Sequence, residues 1–346
     1  MRGQKGSILV LTMWVLAVIA LFSLAAGTQA RQRLRYVQQF EIRSKLRIAA
    51  DAGIKRAQAA VFAASRLPAH SLGDSWAHDE AAFKAVQLKE TFYTVKSVSS
   101  VDGRESYGAV DETRKIDLNK TKSEKIIAGI FEFGAGVPQT QASEIAASIL
   151  DWRDEDDVLN AGGAEAKYYR TLSPYYEPKN ADLDTLEELL LVKGMTPEIL
   201  LKVFPYVTVD GESAVNLNTA PGPVLRACGL TPAMAEKVIL FRNGRDKVPG
   251  TADDRVFKSS ATLAEDLKQA VSLNTDEEKS LKDFGESGLF DVKAAAFSAL
   301  STATLQGRKE SLSVLCFFSM DGVVRRCQET YSRIEEKSSD AGHSNV

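Results

Sequence analysis

The sequence predicts an α+β fold: a long N-terminal helix that is first membrane-like and then amphipathic, an antiparallel sheet, and a large, mostly α-helical region inserted between its strands. Three observations carry this expectation. An apolar run from Ile8 to Ala26 continues without proline as far as Pro68. Alternating apolar and polar segments stand on both sides of the middle of the chain. Between them, from about Asn119 to about Ser287, helical patterns joined by Gly- and Pro-containing turns dominate.

The run from Ile8 to Ala26 would measure about 28 Å as a helix, about one bilayer core. A cleaved export signal has a shorter apolar region, about 7–15 residues, and an A-x-A-like site. "GTQA" (Gly27–Ala30) is a poor match, so the run reads as a retained anchor. Arg31, Arg33 and Arg35 follow it while Arg2 and Lys5 precede it, so flanking charge does not fix the orientation. Beyond it, Leu34, Val37, Ile42, Leu46, Ala49, Ile54, Ala57 and Val61 recur three to five apart, which predicts that the helix emerges as an amphipathic rod.

"FYTVKSVSSV" (Phe92–Val101) and "ESYGAVDETRKIDL" (Glu105–Leu118) alternate as strands around Asp102-Gly103, a two-residue hairpin signal, with a further turn at Asp111-Glu112. "KIDLNKTKSEKIIAGIFEFG" (Lys115–Gly134) and "AVNLNTAPGPVLRACGLTPAMAEKVILFRNG" (Ala214–Gly244) share a strand, cap and helix pattern, an imperfect internal duplication. "KGMTP" and "CGLTP" join pairs of short helices, with Pro197 and Pro232 suited to first helical turns. "FDVKAAAFSA" and "ESLSVLCFFSMDGVVRRCQETYSRI" supply the later strands, the second bending at Asp321-Gly322. A two-residue loop there sets Cys316 opposite Cys327 at a hydrogen-bonded pair, the wider spacing, which leaves open either a disulfide or two adjacent thiols.

Composition excludes more than it proposes. The 346 residues, 44% apolar and 26% charged, have room for two domains, and a net charge of −3 shows no basic excess toward nucleic acid. The three cysteines have no metal-ligand spacing, and the three histidines (His70, His78, His343) have no motif around them, which argues against zinc or His-based catalysis. The sharpest chemical signal is "DWRDEDD", with Asp151, Asp154, Glu155, Asp156 and Asp157 against the single counter-charge Arg153, followed by "NAGGAE", which returns Glu165. Crowded hard oxygen ligands on a loop suit calcium; the bland reading is a solvated acidic loop. A second acidic loop, "RDKVPGTADDRVF", offers Asp246, Asp253 and Asp254 as another cation loop or, more simply, a turn. Neither loop holds a nucleophile or oxyanion site, so the chain reads as no enzyme.

A basic leader ending in Gly6, a break at Gly6-Ser7, an immediate apolar segment and an amphipathic continuation resemble a type IV prepilin or type II secretion pseudopilin. The resemblance implies cleavage after Gly6 by a membrane prepilin peptidase, on the cytoplasmic side, and N-methylation of Ser7. Such chains carry a carboxylate at the fifth mature residue to neutralise a neighbour's terminal amine, but here the fifth residue is Leu11. That absence, with "SILDWRDEDDVLNAGGAEAKYYRTLSPYYEPKN" (148–180), "LEELLLVKGM", "FPYVTV" and "VNLNTAP", is similar to the protein K family of the type II secretion system. This second resemblance implies a structural minor pseudopilin that caps the tip of the pseudopilus with I- and J-type minor pseudopilins above the major pseudopilin and helps to start its assembly. It also implies a single-pass inner-membrane protein with its bulk in the periplasm, and an inserted domain that binds calcium. Asp154, Asp156 and Glu165 are the expected ligands, with Asp151 next. The implied organisation is a leader (1–6), transmembrane helix (7–30), pilin helix and first strands (31–118), inserted α domain (119–287), sheet completion (288–334) and a disordered tail (335–346).

The alternative reading is a membrane-anchored DNA receptor of the competence type, with "NLNTAPGPVLRACGLTPAMAEKVI" as a helix-hairpin-helix. Against it, Thr-Pro stands where such a hairpin carries its second glycine, and the acidic surroundings repel phosphates. A blander alternative is a bitopic sensor or adhesin with a helical periplasmic domain.

Overall fold

The structure, a computed structural model, describes residues 5–98 and 103–333. The first helix, α1, runs unbroken from Lys5 to Ala64, 60 residues or about 90 Å. From Leu9 on it is long and apolar enough to cross a membrane, and none of its most apolar window is buried in the fold. The amphipathic face works only in its second half. Leu46, Ala49, Ala50, Ile54, Ala57 and Val61 are buried, whereas Leu34 and Val37 stay open to the surroundings, because the sheet reaches back only to about Ile42. The sequence expectation of a rod amphipathic from Leu34 is thus corrected: the same periodicity has a partner in this chain along part of its length.

After α1 the chain makes a short helix α2 (Glu80–Phe83), β1 (Val86–Leu88), β2 (Thr91–Val95), β3 (Ser97–Val98), β4 (Glu105–Ser106), β5 (Val110–Asp111) and β6 (Ile116–Asp117). The insert follows with α3 (Glu124–Ala135), α4 (Gln139–Arg153), α5 (Ala166–Tyr169), α6 (Pro197–Val203), β7 (Val207–Thr208), β8 (Val215–Asn216), α7 (Gly222–Ala227), α8 (Pro232–Arg242), α9 (Leu263–Lys268) and α10 (Thr275–Glu286). Then β9 (Phe290–Asp291) leads to three long strands, β10 (Ala296–Leu305), β11 (Glu310–Ser319) and β12 (Val324–Arg333). The antiparallel sheet has the order β1-β2-β10-β11-β12, with β5 also on β10, so strands from before and after the insert lie side by side. The hairpin expected at Asp102-Gly103 differs in register: Val98 pairs with Glu105, which leaves a six-residue connection, and Asp102 lies outside the described residues. The tail expected to be disordered lies outside them as well.

Packing of α1 on the sheet requires one small residue. A Cβ on Gly53 would run into Ser301 Oγ and come within 2.9 Å of the Tyr93 ring, while Gly27, in the apolar half of the same helix, has nothing within 4 Å.

The insert has its own core, with Phe131, Ile145, Tyr169, Val224, Phe257 and Leu281 among its buried members. Its two repeat-like segments take up the same construction. β6 pairs in parallel with β7, and β8 with β9. One residue after each strand comes a buried leucine, Leu118 or Leu217, and then an asparagine that grips a distant loop by its backbone. Asn119 exchanges two bonds of 2.9 Å with Leu183, and Asn218 exchanges bonds of 2.9 and 2.8 Å with Phe257. An asparagine supplies donor and acceptor at once, which satisfies a buried peptide unit that no strand covers. The helix starts are capped as their sequences predict: Thr196 and Thr231 accept from the amides of Ile199 and Met234, ahead of Pro197 and Pro232.

At the far hairpin a bulge beside Phe317/Phe318 shifts the register by one residue, and Ser319 N donates to Val323 O. Cys316 and Cys327 still face each other, but at the close cross-strand spacing, 4.2 Å between Cα atoms, with their sulfurs joined. The wide spacing expected from an unbulged two-residue loop is corrected by that bulge.

Alanine for glycine inside a helix gains about 1 kcal/mol of propensity where nothing intrudes. Gly53→Ala is therefore expected to lower the thermal midpoint of the globule, through overpacking of about 1–3 kcal/mol, whereas Gly27→Ala leaves it unchanged or higher. Equal midpoints for the two variants would show that α1 does not press on the sheet at Gly53.

Candidate functional site

The acidic loop grows out of the last turn of α4. Asp151 lies on the buried side of that turn, fully enclosed, while Asp154, the C-cap residue, ends the helix in extended backbone. Trp152 packs edge-on against Tyr169, 5.2 Å between ring centres, and Tyr169 in turn packs against Tyr176. This aromatic wall anchors α5 behind the loop. The connection from α4 to α5 turns at Gly162 (φ +87°) and is braced by Lys193, whose Nζ donates to the carbonyls of Gly162 and Gly163 at 3.0 Å each. Gly163 has a further role: a Cβ there would come within 2.8 Å of the Asp151 carboxylate carbon, so only glycine lets the backbone approach that carboxylate.

The carboxylates are unevenly satisfied. Asp151 Oδ1 accepts from Asn160 N (3.1 Å) and Asn160 Nδ2 (2.5 Å), but its Oδ2 has no partner among the described residues. Glu165 is 6% exposed, and among the described residues neither of its carboxylate oxygens has a partner, nor has Asp154 Oδ1. Burial, then the charges of Asp151, Asp154 and Asp157, pushes the Glu165 carboxyl up from 4.5 to about 7. Burial, then Asp156 and Asp151, raises Asp154. Arg153 does not relieve them. Its Nη2 donates to Thr121 O, and the carboxylates acting most strongly on it are Asp182 and Asp117, with Asp154 third.

Four oxygens that cannot reach water thus lack hydrogen-bond partners, on three carboxylates that repel one another. Buried orphan carboxylates are costly, and the donor chemistry is that of a hard divalent cation such as calcium. Among the described residues no three His, Cys, Asp or Glu side chains converge into a ready coordination shell, so an ion would have to draw Asp151, Asp154 and Glu165 closer. Asp156, also expected as a ligand, is exposed and bonds its own turn, accepting from Val158 N at 2.8 Å. The sequence counts Asp157 in the acidic run without a role of its own and leaves Asn160 unassigned; in the structure Asn160 orients Asp151 and Asp157 adds charge at Glu165, and the asparagine two residues ahead of the Gly-Gly pair was the available signal.

The second acidic loop is built differently. Asp253 accepts from Arg245 N and Asp246 N, Asp246 from Val248 N, and Asp254 from Gly250 N. These carboxylates close turns on their own backbone, which leaves no orphaned oxygen there among the described residues. The α7–α8 hairpin likewise keeps its amides inside the chain: Cys228 N, Gly229 N and Leu230 N donate to Val224, Arg226 and Leu225 carbonyls, and the Phe284 ring covers Gly229.

For the acidic loop, in buffer with chelator, a carboxyl raised in the folded state keeps its proton where the unfolded chain has lost it. Stability is then fullest below pH 4.5 and is lost as pH rises toward about 7. Urea midpoints measured across that window are expected to fall for the parent chain and to be flatter for Glu165→Gln; parallel profiles would assign the dependence elsewhere.

Comparison with known proteins points one way. Residues 120–211 match the family described as type II secretion system (T2SS), protein K. A putative type II secretion system protein K of Escherichia coli (strain K12) is 36% identical over 86 residues, 24% of this chain and 26% of that protein. The type II secretion system protein K of Aeromonas hydrophila is 27% identical over 157 residues, 43% and 46% of the two chains. The chain therefore spans about a quarter to under half the length of these curated relatives. In fold it is similar to a chain of the crystal structure of the GspK-GspI-GspJ complex from the enterotoxigenic Escherichia coli type 2 secretion system, with a TM-score of 0.61 at 17% identity, covering 87% of this chain and all of that one.

Proposed function

We propose that this chain, whose residues 120–211 match the type II secretion system protein K family, is a non-enzymatic minor pseudopilin that caps the tip of a pseudopilus and promotes its assembly. The observation that carries this reading is α1. Its apolar half has no partner among the described residues, and its first carboxylate is Glu41. In a filament core an unpaired terminal amine is costly, and a subunit with Leu11 in place of an acid cannot neutralise one from a neighbour. Such a subunit fits a terminal position, and an insert the size of α3 to α10 would obstruct a subunit stacked above it.

The leader through Gly6 is removed in this reading, Ser7 becomes the methylated terminus, and the apolar half of α1 holds the chain in the inner membrane with its bulk in the periplasm. The structural neighbour comes from a complex with GspI and GspJ, and we extend the same kinds of partner, I- and J-type minor pseudopilins, to this chain. The prepilin peptidase and the major pseudopilin complete the set. The α7–α8 hairpin is a packing unit in this reading, with no role in nucleic acid binding. Asp151, Asp154 and Glu165 would hold calcium, with Asp156 adding charge at the rim; the ion would neutralise the loop and tie the end of α4 to the start of α5.

Intact mass spectrometry of chain extracted from cells with and without a prepilin peptidase is expected to show loss of residues 1–6 only with the enzyme. An uncut terminus would leave an ordinary tethered protein. On isolated pseudopili, gold-labelled antibody is expected at one end of each filament; labelling along the length would overturn the capping role. Calcium at about 100 times its Kd should stabilise the folded chain by about 2.7 kcal/mol, a gain that Asp151→Asn and Glu165→Gln each remove and chelator reverses. A parent chain whose melting ignores calcium would reduce the acidic loop to a strained turn.

A further inference from the structure

A cleft of about 770 Å³ opens where the sheet meets the insert, within the usual range for small-ligand pockets. Trp76 and Ser298 line it from the sheet side, and Ile239 and Arg242 from the insert. Two arginines from different elements meet there. Arg242, the last residue of α8, is 8% exposed. Its Nη1 is fixed by the carbonyls of Leu217 and Ala220, 2.8 Å each, while its Nε and Nη2 make no hydrogen bond among the described residues. Arg114 ends the 3-10 turn that follows β5, and its guanidinium makes no hydrogen bond with the described residues either.

The acids around this pair are already engaged. Asp111 accepts from Thr113, Asn216 and Thr219. Glu112 accepts from Lys115 at 2.8 Å and Ser298 at 2.6 Å, and Asp254 accepts from Gly250 and Thr251. Asp111 and Glu112 attract Arg114, and Asp254 attracts Arg242, through space only. The two guanidiniums act against each other: burial first, then the charge of Arg114, pushes Arg242 down to about 9. Lys115 and Lys247 add positive charge to the same lining.

We propose that the cleft between Arg114 and Arg242 is a binding site for a small, doubly charged oxyanion of the phosphate class. A guanidinium offers planar pairs of N–H donors that match such an oxyanion, and here two of them lack acceptors in one enclosed space. An oxyanion between them would supply the missing acceptors and relieve the repulsion. Nothing in the assembly role draws on these residues, so the site stands apart from it.

Inorganic phosphate is the probe, titrated by calorimetry into the full chain in detergent, with sodium chloride at matched ionic strength as control. Saturable binding is expected with phosphate, and Arg114→Gln should weaken it by about tenfold or more, the loss of one charge-assisted bond. Arg242→Gln also loses two backbone contacts and is expected to melt lower on its own, so Arg114→Gln, which has none to lose, decides the matter. Heats that only follow ionic strength, or phosphate binding equally tight in Arg114→Gln, would overturn the proposal.

Discussion

The buried carboxylate of Asp111 is the point on which the rest of the architecture depends. Asp111 closes the short strand β5 against β10, so its backbone belongs to the sheet. Its side chain ties the sheet to the insert: one oxygen takes the amide and hydroxyl of Thr113, two residues on, and the other takes Asn216 Nδ2 (2.9 Å) and Thr219 Oγ1 (2.6 Å) of the insert. Burial raises this carboxyl and the four donors lower it. A carboxylate this enclosed is tolerable only while all of them are in place. His70 works beside it. Because its Nδ1 accepts from Ala294 N, the proton must sit on Nε2, which donates to Ala64 O at the end of α1. Its own carbonyl receives Asn216. One helix end, one strand and the first loop of the second repeat therefore share a single polar junction between two apolar cores.

That junction explains how a sheet tolerates more than 150 residues between neighbouring strands β5 and β10. The cost of closing a long connection grows only slowly with its length, and the insert repays it by building an independent core. Its two asparagine clamps, Asn119 on Leu183 and Asn218 on Phe257, hold loops that no regular element covers. The acidic loop hangs from the first of these units, and the cationic cleft opens beside the second. Both features put like charges together in a partly dry place, one with orphaned acceptors and the other with orphaned donors. Helix packing alone gives no reason for either.

Helix α1 divides the molecule in a different way. Where the sheet exists, small residues let it lie close, with Gly53 against Ser301 and Tyr93. Toward the N-terminus the same helix shows Leu34, Tyr36, Val37 and Phe40 to the surroundings, set off by Arg31, Arg33 and Arg35 from the apolar run that ends at Ala26. Exposed apolar side chains of this kind, unpartnered among the described residues, make a contact surface in waiting for lipid or for other helices.

The sequence by itself determined the elements with strong local physics. The proline-free apolar run meant a helix, Thr-Pro pairs meant helix starts, alternation meant strands, and "DLN" and "NLN" marked a repeated unit. It also located the crowded carboxylates, because charge density is visible in one dimension. Only the tertiary structure decided which of them matter. Asp151 is enclosed because it faces inward on the last turn of α4, whereas Asp156 is exposed and caps its own turn, a difference of burial that spacing along the chain does not encode. The bulge that brings Cys316 and Cys327 to the close spacing, and the meeting of Arg114 with Arg242 across 128 positions of sequence, were equally beyond it. Such features arise from long-range packing, where register and burial are settled by partners far away in the chain.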